Sequence, residues 1–258
     1  MLEKICKFVV TAAIFAFIGV CILYIYCPAG IPSPDDKKDV KPAWVMPTDT
    51  AVSEAETADN AESGGAEYTS VTAKGYVIEM TDGITYVDGI MIANKTYSLP
   101  PDYNPGIHKE AALALEKMQA AAAEDGLTLF VISGFRSYKR QEEVYAGWVS
   151  SDGAEKADTY SARPGYSDHQ TGYTFDLNSC EDSFAYTPEA SWIAEHCADF
   201  GFIIRYPKGK EAYTGYIYEP WHIRWVGEEK ARILTESGLS LEEYYGISSD
   251  YGVSPVFA

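Results

Sequence analysis

The chain of 258 residues is poor in histidine, with four, and poor in basic side chains, with 20 Lys and Arg against 38 Asp and Glu. The resulting formal charge of −18 supplies no basic footprint for phosphates, which argues against nucleic acid as a partner. Acidity of this kind keeps a surface solvated and identifies no substrate. Cysteine is scarce as well. Of the five, Cys6, Cys21 and Cys27 belong to one apolar stretch, and Cys180 and Cys197 are left for the rest of the chain. Their spacing leaves both a bridge and two free thiols open. There is no phosphate-binding glycine loop, no serine nucleophile elbow and no dinucleotide fingerprint, so the chemistries that depend on them are set aside.

What is abundant is unevenly placed. Phe8 to Cys27 is a run of twenty residues without a charge, long enough at about 1.5 Å per residue to cross a hydrocarbon core of roughly 30 Å. Lys4 and Lys7 precede it, and no A-x-A site ends it, so residues 1–27 are expected to be an uncleaved single-pass membrane anchor with the bulk of the chain outside. Residues 28–72 are rich in Pro, Asp, Glu, Ala, Ser and Gly and show no apolar period, as in PSPDDKKDVKP, which reads as a disordered tether. Residues 73–258 form the expected head, a β-rich extension over 73–106 followed by a catalytic core over 107–246. A monomer is expected.

Within the head, Asp82-Gly83 and Asp88-Gly89 punctuate residues 75–99 as hairpin turns of a small meander. Apolar residues Ile107, Ala111, Leu115, Met118 and Ala122 recur at helical spacing and predict a helix over 107–124. Leu127–Ser133 reads as a buried strand, and a helix carrying Gln141, Val144, Tyr145 and Trp148 follows it. Residues 151–165 read as loop, 173–178 as strand, 188–200 as helix, 202–206 as strand. Residues 217–226 read as a strand interrupted by Pro220, which places that proline at an edge or bend. Helices over 227–237 and 240–245 close the head. Without a βαβ rhythm, the fold class expected is α+β, with a mainly antiparallel central sheet and flanking helices.

The chemistry gathers in two stretches. SARPGYSDHQTGYTFDL, 161–177, sets His169 and Asp176 seven residues apart across a glycine, and Glu219-Pro220-Trp221-His222 supplies a second imidazole with a carboxylate three residues before it. Two imidazoles and one carboxylate make a three-ligand set for a catalytic zinc, so His169, Asp176 and His222 are the candidate ligands. Glu219 is then a spare carboxylate and the candidate general base. Arg136, at the exit of a strand, suits an oxyanion or a substrate carboxylate as well as it suits an ordinary ion pair. His108 and His196 have no partners at ligand spacing and are expected to be structural or solvated. Tyr213, Tyr216 and Tyr218 fit a cleft wall and a packed sheet face equally well.

Three motifs in order, SGFRSYKRQ (133–141), ARPGYSDHQTGYTFDL (162–177) and EPWHIRW (219–225), make residues 107–246 resemble the VanY-type D-alanyl-D-alanine carboxypeptidases. The resemblance implies the Hedgehog and D,D-peptidase fold, a zinc cofactor on His169, Asp176 and His222, and Glu219 as catalytic base. It further implies that Arg136 stabilises the tetrahedral intermediate, and that Gln141 and Ser167 contact the terminal region of the substrate. Members often carry Glu where this chain has Asp168, and small residues where it has Tyr173 and Thr174. The implied activity is hydrolysis of the terminal D-Ala-D-Ala bond of peptidoglycan stem pentapeptides. An L,D-carboxypeptidase acting on tetrapeptide stems and a non-catalytic, zinc-containing wall-binding module are the alternatives.

Overall fold

A computed structural model of the chain describes residues 68–252. The expected anchor and most of the expected tether lie outside the described residues. Among the described residues, no helix is long and apolar enough to cross a membrane.

The first element is strand β1, Tyr68–Val71, which pairs antiparallel with β2, Val77–Thr81. The ordered head therefore starts before residue 73, inside the stretch whose composition reads as tether. β3, Ile84–Val87, and β4, Ile90–Met91, complete an antiparallel meander in the order β1-β2-β3-β4. Its two tight turns are those expected. Asp82 and Gly83 stand at φ 52° and 71°, and Asp88 and Gly89 at 51° and 77°, the positive pairs that match the twist of a two-residue hairpin.

Helix α1, Lys109–Glu124, buries Ala111, Leu115, Met118 and Ala122, the stripe seen in the sequence. It is followed by β5, Val131–Ser133, and α2, Tyr138–Asp152. α2 runs into the region read as loop, where the short helix α3, Ala154–Ala157, also forms. β6, Thr174–Leu177, leads to α4, Pro188–His196, and a 3-10 turn over Cys197–Phe200 ends before β7, Phe202–Ile204. After the short helix α5, Glu211–Thr214, come β8, His222–Trp225, then α6, Glu228–Ser237, and α7, Leu241–Tyr245.

The second sheet has the order β5-β6-β8-β7, antiparallel throughout. The α+β expectation therefore holds, with two antiparallel sheets in place of one. Two strand expectations are corrected. β5 is short and lies at an edge, with a register shift between Val131 and Ser133, so Phe130, Val131 and Ile132 are 50%, 39% and 44% exposed rather than buried. β8 begins only at His222 and sits centrally, where a proline would break the ladder. Pro220 stands in the preceding bend, in which the His222 amide bonds the Glu219 carbonyl at 3.2 Å.

Register and pleat determine what faces what. Asp176 is opposite His222 and Thr174 opposite Arg224, while Phe175 is opposite Ile223. Alternation then sends Phe175, Leu177 and Ile223 into the core with the α1 stripe and Ile193. It sends Thr174, Asp176, His222 and Arg224 to the other face. The meander contributes Ile78, Val87 and Ile92 to a second core with Ile203, Leu234, Leu241 and Tyr245. Cys197 is buried and Cys180 exposed, and both are free thiols, which closes the question of a bridge between them.

Candidate active site and metal centre

His169 stands on a 3-10 turn, Asp168–Thr171, that ends at Gly172 with φ 78°. A Cβ at Gly172 would lie 2.2 Å from the carbonyl oxygen of Gly106, so both the left-handed conformation and the close approach require glycine here. The turn carries His169 back toward β6, from which Asp176 projects, and β8 brings His222 alongside through the sheet register. One donor atom from each of the three lies within 4.8 Å of the others, and all three residues are buried. Among the described residues this is the one such cluster.

The ring orientations fit a metal. The Nδ1 hydrogen of His169 is donated to the Gly134 carbonyl at 2.7 Å, which leaves Nε2 facing Asp176 Oδ2 at 3.0 Å. His222 Nδ1 is 3.2 Å from Asp176 Oδ1 and 3.2 Å from Glu219 Oε2. Asp176 Oδ1 is nevertheless buried and has no hydrogen-bond partner. A carboxylate that turns one oxygen to each of two imidazole nitrogens, with the oxygen beside His222 left orphaned, suits a shared cation, since each nitrogen can then direct its lone pair to the same point. The donor set, two nitrogens and one carboxylate, is that of a catalytic zinc site with an open position.

Electrostatics differ among the four groups. Burial pushes the His169 imidazole below its ordinary pKa, despite the nearby Asp176 carboxylate. Burial alone would raise Asp176, but the facing His169 and His222 outweigh it and hold the carboxyl below the usual range. Burial raises Glu219, with His222 only partly offsetting it. For His222, burial works against the charged form, yet contacts with Asp168, Asp176 and Glu219 prevail and lift its pKa well above the ordinary value.

Arg136 enters from the loop after β5. Its guanidinium bonds Ser133 Oγ at 2.8 Å and Gln141 Oε1 at 3.0 Å, and stands 3.8 Å from Asp176 Oδ2. It lines a cleft of about 340 Å³ with Ser167, His169, Asp176, Glu219 and His222. Val144, Trp148, Tyr160 and Ile217 supply an apolar wall to the same cleft. The side chain of Ser167 does not cap the 3-10 turn. Gln141 does not line the cleft; it is fully buried, with its amide donating to the Ala162 carbonyl at 2.6 Å while its oxygen holds Arg136. It supports the guanidinium from behind.

The remaining expectations divide cleanly. His108 stacks on Tyr173 at 3.9 Å, and His196 is half-buried against Trp192 with its ring 4.8 Å away, both away from the cluster. Of the three tyrosines, Tyr216 lines the cleft, whereas Tyr213 is 52% exposed to solvent. Sequence reasoning gave no role to Asp168, Arg205, Tyr206, Arg224 or Glu242. Asp168 and both arginines are buried, and the Tyr206 ring lies 4.7 Å from that of His222. The available signal was position: Asp168 adjoins His169, and Arg224 follows His222 by two residues, on the same face of a strand.

Comparison with known proteins agrees with this geometry. The family model described as VanY, D-alanyl-D-alanine carboxypeptidase, matches residues 104–228. The YodJ protein of Bacillus subtilis (strain 168) is 35% identical over 242 residues, 82% of this chain and 87% of that one. Among solved structures, the LdcB LD-carboxypeptidase is 47% identical with a TM-score of 0.58, covering 70% of this chain and 98% of that one. A variant of the vancomycin resistance D,D-pentapeptidase VanY in complex with Zn(II) is 32% identical with a TM-score of 0.53, covering 59% and 96%. The chain belongs to the VanY family of D-alanyl-D-alanine carboxypeptidases.

Proposed function

We propose that this chain is a zinc carboxypeptidase that removes the C-terminal D-alanine of peptidoglycan stem peptides. The observation that carries the reading is the convergence of His169, Asp176 and His222 on one point, with the Glu219 carboxylate 3.2 Å from His222 Nδ1. When bound to those three residues, zinc supplies Lewis acidity to the scissile carbonyl and to the attacking water. Glu219 accepts the water's proton as the new C–O bond forms and delivers it to the amine nitrogen as the C–N bond breaks. Its raised pKa brings it nearer to the range where both halves of that transfer are favourable. Arg136, fixed by Gln141 and Ser133, presents a guanidinium to the oxyanion or to the substrate's terminal carboxylate. Ser167 offers a hydroxyl on the same wall. A purely structural zinc site would have no use for a buried carboxylate such as Glu219, which weighs against a non-catalytic binding module.

Two bonds compete as the target. The motifs point to the D,D bond of a pentapeptide stem. The 47% identity to an LD-carboxypeptidase along 98% of that chain, against 32% to a D,D-pentapeptidase, favours the L,D bond of a tetrapeptide, and we assign that substrate first. Incubating the zinc-loaded full chain with each stem separately, and weighing the shortened peptide, tests both. Loss of D-alanine from the tetrapeptide alone supports the L,D assignment, loss from the pentapeptide alone reverses it, and no shortening of either sinks the proposal. The uncharged run at residues 8–27 supports a wall-facing position on the membrane. A tag after Ala258 that resists protease on intact cells would refute that placement.

A further inference from the structure

The carboxylate next to His169 is outside the donor set, yet Asp168 is 1% exposed and sits behind the other imidazole. Its Oδ1 accepts from Arg224 Nη1 and has Arg205 Nε at 3.8 Å. Its Oδ2 accepts from Thr174 Oγ1 at 2.6 Å and faces His222 Nε2 at 3.5 Å. The two guanidiniums are held from behind. Arg224 Nη2 donates to the Met91 carbonyl at 2.8 Å, and Arg205 meets both Glu242 oxygens, at 2.9 and 2.5 Å. Two carboxylates thus balance two guanidiniums, and Asp168 does not need His222 as a counter-ion.

His222 needs Asp168. Its Nδ1 is turned to Asp176 and Glu219, and its Nε2 is buried without a hydrogen-bond partner. An imidazole that gives one nitrogen to a metal carries its hydrogen on the other, and whatever accepts that hydrogen fixes the tautomer and the ring plane. For His169 the acceptor is the Gly134 carbonyl. We propose that Asp168 is the positioning residue for His222: with its carboxylate held by Arg224 at Oδ1 and by Thr174 at Oδ2, Oδ2 takes the Nε2 hydrogen and keeps Nδ1 aimed at the metal. This rests on the zinc reading of the site. The bracing extends to Met91 and, through Glu242 Oε1, to Asn94 Nδ2 at 3.1 Å, so the exit of the meander helps to hold a site whose family match begins at residue 104.

The test uses the full chain, zinc affinity by chelator competition, and the imidazole nitrogen NMR pattern of His222 in the zinc-loaded protein. Asp168→Asn is expected to weaken zinc binding about 10- to 100-fold and to blur the single Nε2–H tautomer. Asp168→Glu should recover more affinity than Asn. Thr174→Val keeps the charge and removes only the brace, so it should give a smaller loss in the same direction, and it decides the matter alone if the Asn variant does not fold. Wild-type affinity and an unchanged tautomer in both Asp168→Asn and Thr174→Val would overturn the proposal while leaving the zinc reading intact. Absence of zinc binding by the wild type would remove the zinc reading itself.

Discussion

Replacing Glu219 with alanine separates proton transfer from metal binding, because the side chain lies beside the donor cluster without belonging to it. The bend that carries it is held by main-chain bonds, the Glu219 amide to the Tyr206 carbonyl at 3.1 Å and the His222 amide to the Glu219 carbonyl at 3.2 Å, and both survive the substitution. A positioned general base is worth about 10²- to 10⁴-fold in rate, or roughly 2.7–5.4 kcal/mol at about 1.36 kcal/mol per tenfold. The expected result is a fall of that size in kcat/KM for D-alanine release, with zinc still bound at one per chain. Stability of the metal-free protein should move the other way. Burial raises the folded pKa of Glu219 above its unfolded value, so its contribution is full below the unfolded value and is lost as pH rises through the folded one. Glu219→Ala should therefore gain in Tm relative to wild type as pH is raised across that range. Activity within tenfold of wild type would refute the role of base, and loss of zinc would show that Glu219 is a ligand.

Three further outcomes are expected. His169→Ala should lose both zinc and activity; stoichiometric zinc in that variant by metal analysis would exclude it as a ligand. Zinc uptake near neutral pH should release about one proton, because the elevated His222 is charged in the metal-free protein and the depressed His169 is already neutral. Calorimetry in buffers of different ionisation enthalpy measures this, affinity should fall as pH is lowered, and release of two protons or none would contradict the assignment. Glu242→Gln should cost about 3–5 kcal/mol in denaturant unfolding, because it strips a fully buried Arg205 of its counter-charge. A loss below 1 kcal/mol would mean that Asp168 alone satisfies both arginines.

The helical stripe of α1, both Asp-Gly hairpins and the types of the chemical residues were legible in the chain because each is a local property. Periodicity, turn conformation and ligand chemistry do not depend on what is far away. A run of apolar residues says nothing about whether a strand is central or at an edge, and at β5 the edge leaves Phe130–Ile132 in solvent. The resemblance implies that Gln141 contacts the substrate, whereas its buried position behind Arg136 follows only from how α2 packs against residues 161–162.

For the site, the sequence by itself determined which side chains are the candidates for the chemistry: His169, Asp176, His222, Glu219 and Arg136 are few, distinctive and carried in motifs. Tertiary structure decided how they meet. The pairing of β6 with β8 places Asp176 opposite His222, the turn at Gly172 brings in His169, and the antiparallel register buries Asp168 behind His222 between two arginines. A single-residue slip in that register would send Asp176 or His222 to the opposite face, so the candidate metal centre is a consequence of strand pairing, which no local pattern encodes.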